Sequence, residues 1–223
     1  MTTQKDVAAT PLQPIVTMPM PFSPYYDEDG ITIYLGDNRK IMPWISTVDL
    51  LLTDPPYGLG KRISSDWMGT TDADVSWDVK PCEVTIKAML QHCRQWIVWG
   101  GNYFSEWLPA SRCVLVWDKM NGTNDMADCE VALTSIDQNA RCFSRHHFSK
   151  GCGGKVHPTQ KPLPLMRWCL DLVPEAKTVL DPFMGSGTTL VAARLEGRKA
   201  IGIEISERYC EAAVKRLAQK TLF

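Results

Sequence analysis

Val48-Asp49-Leu50-Leu51-Leu52-Thr53-Asp54-Pro55-Pro56-Tyr57 and, far downstream, Thr178-Val179-Leu180-Asp181-Pro182-Phe183-Met184-Gly185-Ser186-Gly187-Thr188-Thr189 share one plan: an apolar run, then a carboxylate and a proline where the run stops. Each reads as a buried strand that ends in a polar loop. In an open α/β sheet, ligands bind in the crevice beyond the carboxyl ends of the strands, so two such loops on one sheet face a common site. The first is built for chemistry and the second for a cofactor.

Working outward, further strand-like runs fall at Ile31–Leu35, Trp96–Gly100, Cys113–Trp117, Cys129–Ser135, Ala140–Phe143 and Lys199–Ile203. Helical periodicity separates the better ones. Val84, Met89, Leu90 and Cys93 share one face between Glu83 and Gln95, and Leu165, Met166, Cys169, Leu170 and Val173 share one between Pro164 and Val173. Thr188–Glu196 reads as a helix closed by Gly197, and Ser206 is placed to cap a last helix ending near Gln219. Alternating strands and helices predict a mostly parallel, twisted sheet with helices on both faces. The segment from Cys129 to Phe143 reads as a hairpin, which puts antiparallel pairing at one edge.

The chain has 223 residues with 44% hydrophobic content, enough for one sizeable core. Residues 1–26 carry Pro11, Pro14, Pro19, Pro21 and Pro24 with few charges, and read as a flexible arm ahead of a single domain over 27–223. No apolar run approaches the roughly 18 residues of a membrane span, and no targeting segment is evident, so a cytoplasmic protein without a membrane partner is expected. The eight cysteines lack a Cys-x-x-Cys pair and are expected to be reduced. Cys142, His146, His147 and Cys152 match no standard zinc spacing, and no metal is expected.

A formal net charge of −1 gives no global attraction to polyanions. The base is concentrated locally instead. No acidic residue lies between Asp137 and Asp171, whereas Arg141, Arg145, Lys150, Lys155, Lys161 and Arg167 do. An insert near 141–156 is therefore the candidate polyanion contact, with Lys61 and Arg62 on a second loop as a further basic site.

The glycine loop fits neither common phosphate reader. Thr188 stands where a Walker loop needs lysine, and the third glycine of the dinucleotide pattern is missing. Glu204, at the end of Ile201-Gly202-Ile203 and about 20 residues past the glycines, stands where α/β folds bind ribose hydroxyls. A nucleoside carrying an amino acid, without pyrophosphate, fits better than a dinucleotide. Tight strand-to-helix packing is the structural alternative for Gly185 and Gly187. In the other loop, an exocyclic amine of a nucleobase needs acceptors for both N–H bonds to free its lone pair. Asp54 and the Pro55 carbonyl can supply them, Pro56 stiffens the turn without adding a donor, and Tyr57 offers a ring for stacking an extruded base.

With these residues in view, the chain resembles the S-adenosylmethionine-dependent amino-methyltransferases of DNA. Asp54–Tyr57 resembles their catalytic loop, Phe183–Gly187 their cofactor loop, and His157-Pro158-Thr159-Gln160-Lys161-Pro162 the segment before it; catalytic loop first is the β-group order. The resemblance implies a Rossmann-like methyltransferase fold with a mostly parallel seven-stranded sheet and one antiparallel edge strand. It further implies cofactor contacts by Asp37 (adenine), Glu204 (ribose), Asp181 (methionine amine), and Lys161 and Pro162 (methionyl side), with His157, Thr159, Phe183, Gly185, Ser186, Gly187 and Thr188 around them. By the same resemblance, a loop beginning with Asp favours N6 of adenine in double-stranded DNA. N4 of cytosine, a non-catalytic DNA-binding subunit and a nucleotide-dependent oxidoreductase stay open as alternatives, as do a homodimer and a cognate restriction nuclease as partners.

Overall fold

A computed structural model describes residues 20–59, 78–120, 127–145 and 160–219. Among the described residues nine strands form one sheet: β1 (Tyr26–Glu28), β2 (Ile31–Leu35), β3 (Val48–Thr53), β4 (Cys93–Trp99), β5 (Val114–Asp118), β6 (Cys129–Thr134), β7 (Arg141–Ser144), β8 (Thr178–Asp181) and β9 (Lys199–Glu204). Their spatial order is β1-β2-β9-β8-β3-β4-β6-β5-β7. Neighbours from β2 through β4 are parallel, β6 runs antiparallel to both β4 and β5, and β1 runs antiparallel to β2.

Strand periodicity divides the core into two layers. Leu50 and Leu52 point to one face, where α4 (Leu163–Asp171), α5 (Thr188–Leu195) and α6 (Glu207–Ala218) bury Leu165, Cys169, Leu190, Ala213 and Leu217. Leu51 points to the other face, which takes Ile41 of α1 (Asn38–Ile41), Ile86 and Met89 of α2 (Glu83–Leu90) and Phe104 of α3 (Gly101–Phe104). Strands covered on both faces read as unbroken apolar runs. This is why Leu50-Leu51-Leu52 is legible as the middle of a sheet.

The hairpin expected over Cys129–Phe143 is not formed. β6 pairs with β5 and β4 instead, and β7 lies parallel to β5 on its far side. Of the two antiparallel strands, β6 is thus internal, one place in from β5, while β1 lies at the opposite edge of the sheet, and the body of seven gains β1 and β7 as edges. Burial explains the choice: Ala132 and Thr134 of β6 are buried and need neighbours on both sides, whereas all of β7 except Phe143 is exposed, as suits a short edge strand.

Smaller corrections concern ends. The helix expected to reach Gln95 stops at Leu90, because Cys93 already pairs with Val48 in the sheet. Ser206 occupies the N-cap of α6 but makes no side-chain cap bond; its N–H donates to Glu204 Oε1 at 2.8 Å instead. The last residues of the proline-rich arm join the packed body, since Met20 and Phe22 pack on the second core layer and Tyr26 opens β1. Among the described residues no helix is long and apolar enough to cross a membrane, and the seven described cysteines are free.

Candidate active site

The two loops emerge side by side because β3 and β8 are neighbours, with Leu51 opposite Leu180. From β8 the chain proceeds through α5 to β9 on one side, and from β3 through α2 to β4 on the other, so a crevice opens where the crossovers diverge. A cavity of about 570 Å³ fills it, and its walls include Asp37, Asp54, Pro55, Pro56, Tyr57, Lys161, Asp181, Phe183, Gly185, Ser186, Thr188 and Glu204. Segments more than 100 residues apart along the chain share one wall. Pro162 and Gly187 are not on it: Pro162 is the N-cap of α4, and a Cβ on Gly187 would meet Ala213 Cβ at 2.7 Å. Gly187 therefore serves the close approach of α6, whereas a Cβ on Gly185, also at positive φ, would meet nothing within 4 Å. His157 and Thr159 lie outside the described residues.

On the glycine-loop side, Asp181 is buried; its Oδ1 accepts from the Thr53 hydroxyl at 2.7 Å and the Phe183 N–H at 3.1 Å. Burial pushes its carboxyl up to about 6. Glu204 accepts from the Gly185 N–H at 3.0 Å, which ties the end of β9 to the loop, and burial raises its pKa as well. Asp37 caps α1 through the Arg39 N–H and is held by the Arg39 guanidinium at 2.6 Å, which lowers its pKa. Asn38 donates to the Pro182 carbonyl at 2.9 Å. From below, Arg216 of α6 donates to the Ser186 carbonyl at 2.7 Å and to the Thr188 hydroxyl at 3.0 Å.

The other loop is held by charge. Asp54 Oδ1 accepts from the Tyr57 hydroxyl at 2.5 Å, and Oδ2 from the Lys161 ammonium at 2.5 Å. Lys161, whose side chain is 5% exposed, also meets Glu130 Oε2 at 2.9 Å, and Glu130 Oε1 meets Lys119 at 2.6 Å. Burial opposes charge on Glu130, but the two ammonium groups outweigh it and hold its carboxyl down to about 2. Burial raises Asp54, with Lys161 pulling against it and Glu130 adding to it. Tyr57 stacks on Tyr103 with ring centroids 4.6 Å apart, so one face of the ring is already covered. Lys161, expected on the methionyl side of a cofactor, has Asp54 as its nearest partner.

Glu130, Lys119, Tyr103 and Arg216 escape a reading of the sequence. A strand pair β5–β6 would have exposed the first two, because Lys119 follows one strand and Glu130 is the second residue of the other. Of the basic residues expected to meet DNA, Arg141 is exposed on β7 and Arg145 follows it; Lys61, Arg62, Lys150 and Lys155 lie outside the described residues. So do His146, His147 and Cys152 of the zinc alternative. Among the described residues no cluster of three or more His, Cys, Asp or Glu is suited to a metal ion.

Sheet order and crevice together define a Rossmann-like fold of the methyltransferase kind. The profile of the N6/N4 DNA methylases matches residues 98–215. Type II methyltransferase M2.LlaDCHI of Lactococcus lactis subsp. cremoris is 50% identical over 249 residues, an alignment covering 87% of this chain and 91% of that protein. Among solved structures, the cytosine-N4-specific PvuII DNA methyltransferase superposes with a TM-score of 0.63 at 16% identity, covering 92% of each chain. The M1.HpyAVI–SAM complex does so with a TM-score of 0.58 at 23% identity, covering 84% of this chain and 99% of that one. The chain belongs to the N6/N4 DNA methylase family.

Proposed function

We propose that the protein transfers a methyl group from S-adenosylmethionine to N6 of adenine in duplex DNA, with the target base turned out of the helix. One observation carries the reading: Asp54 and Gly185, on loops after adjacent parallel strands, line a single crevice. The donor set fits the cofactor. Glu204 offers a carboxylate for ribose hydroxyls, Asp37 stands at the end of β2 for the adenine side, and Asp181 supplies negative charge for an ammonium group. The open space beside Gly185 allows a ligand to approach the backbone.

When bound, S-adenosylmethionine supplies an electrophilic methyl group, whose C–S electron pair stays with sulfur as the new N–C bond forms. The chain's own residues prepare the nitrogen. Asp54 and the Pro55 carbonyl accept the two N–H bonds of the amine, which draws its lone pair out of the ring, and Asp54 then takes the proton that the methylated nitrogen releases and passes it to solvent. Tyr57 lines the same crevice and is proposed to contact the extruded base. Arg141 and Arg145, with Lys61, Arg62, Lys150 and Lys155, are proposed to hold the phosphate backbone, so binding should weaken steeply with salt.

Adenine is preferred on the resemblance of an Asp-initiated loop. Incubation with labelled S-adenosylmethionine and duplex DNA, followed by nucleoside analysis, should place the label in N6-methyladenine. Label in N4-methylcytosine alone would overturn the choice of base, and no transfer to DNA would overturn the activity.

A further inference from the structure

Four charged side chains from four separate elements meet behind the catalytic loop. Asp54 follows β3, Lys161 precedes α4, Glu130 lies on β6 and Lys119 follows β5. Lys161 Nζ stands between two carboxylates, 2.5 Å from Asp54 Oδ2 and 2.9 Å from Glu130 Oε2, while Glu130 keeps Lys119 at 2.6 Å with its other oxygen. Two anions and two cations balance. A buried ion pair costs much in desolvation, so a lysine held this deep needs partners that outweigh the cost. Asp54 alone could have provided one, which leaves the second carboxylate to be explained.

We infer that Glu130 is a positioning residue for the methyl transfer proposed above: by sharing Lys161 with Asp54 it keeps the ammonium from bonding to Asp54 alone and leaves that carboxylate a strong acceptor for the target amine. The inference rests on the proposed reaction. Without Glu130, Lys161 would have one carboxylate partner and would neutralise it more fully. Without Lys161, Asp54 and Glu130 would face each other with no cation between them, and one of them would take up a proton. The two deletions therefore act on Asp54 with opposite sign. The other groups around Asp54 do not mimic this: Tyr57 donates a neutral hydroxyl from the same loop, Tyr103 of α3 covers the Tyr57 ring, and Asp181 at the end of β8 is bonded to Thr53. Lys119 acts through Glu130.

The test combines steady-state kinetics with titration of the Asp54 carboxyl by carbon-13 NMR in the full-length protein. In Glu130→Gln the Asp54 titration should move down by about one pH unit, and kcat should fall about tenfold with its acidic limb displaced the same way. S-adenosylmethionine affinity should be unchanged and Glu130→Asp should recover part of the rate. In Lys161→Met the Asp54 titration should move up. If Glu130→Gln does not fold, Lys119→Met reads the same coupling, because freeing Glu130 from Lys119 tightens its hold on Lys161 and moves Asp54 upward. An Asp54 titration and kcat unmoved by Glu130→Gln, or moved in the same direction as by Lys161→Met, overturns the inference. A wild-type protein that methylates no DNA overturns the proposed reaction instead, and the NMR titration still decides whether Glu130 governs Asp54.

Discussion

The glycine loop after β8 and the Asp-Pro-Pro-Tyr loop after β3 stand side by side, and each is held by a basic residue from a distant part of the chain. Arg216 grips the first through a carbonyl and two hydroxyls, all neutral, so its effect is mechanical. Lys161 grips the second through the carboxylate that the proposed chemistry uses, so its effect is electronic. The same device fixes shape in one place and tunes reactivity in the other, because the outcome depends on whether the gripped atom is also the working atom.

Removing the working atom should have the largest effect. Asp54→Ala is expected to lower single-turnover methylation by about a hundred- to a thousandfold, a loss typical of a stabilising group at the reacting centre. Calorimetry should find cofactor affinity within about twofold of wild type. A parallel loss of affinity would mean that the two loops do not divide the labour as described.

Releasing the mechanical grip is the next test. Arg216→Ala should cost about 1.5–3 kcal/mol of stability in urea unfolding, the range for hydrogen bonds to a charged donor. It should weaken S-adenosylmethionine binding more than it slows transfer at saturating cofactor. A selective fall in kcat would place Arg216 with Lys161 in kind.

Within the glycine loop itself the two glycines should separate. Gly187→Ala adds a methyl 2.7 Å from Ala213 Cβ at a left-handed φ of 77°, and should destabilise by about 2–4 kcal/mol, the sum of backbone strain and overpacking. Gly185→Ala, at φ 51° with open space around it, should cost only the strain, about 1–2 kcal/mol, and show its effect in cofactor affinity. Equal destabilisation by the two would remove the distinction between a packing glycine and a ligand-facing one.

The smallest effect is a pH dependence. Asp181 has its carboxyl raised to about 6 in the folded protein. Native Asp181 thus binds its proton more tightly than the unfolded chain does, and this favours folding below the unfolded carboxylate range, with the advantage lost as pH rises through 6. Ligand binding runs the other way. A cationic amine needs the ionised form, so S-adenosylmethionine affinity should rise with pH and level off above 6, falling about tenfold per unit below it. Asp181→Asn should flatten that step in calorimetry between pH 5 and 8. A step that persists in the variant assigns the titration to another group.

Much of this is legible in the chain. Leu50-Leu51-Leu52 announces a strand covered on both faces, Asp54 and Asp181 mark strand ends, and Gly185 and Gly187 mark a turn that only small residues tolerate. These signals are local: a few consecutive residues determine the backbone conformation and the turn at its end. The hairpin is a different case, because adjacency in sequence suggests β6 with β7, whereas the need to cover both edges of β6 selects β5 and β4. Glu130 is silent in the sequence for a related reason. A charged residue in a short strand resembles any solvent-facing position until the strand's neighbours are known.

The sequence by itself determined that two carboxylate-ended strands would present their loops to one crevice, since apolar periodicity and turn chemistry act over short range. The tertiary structure alone decided what stands behind those loops. Lys161, Glu130, Lys119 and Arg216 find their partners only when separate crossovers bring them within a few ångströms, and electrostatic interaction depends on distance and burial rather than on separation along the chain.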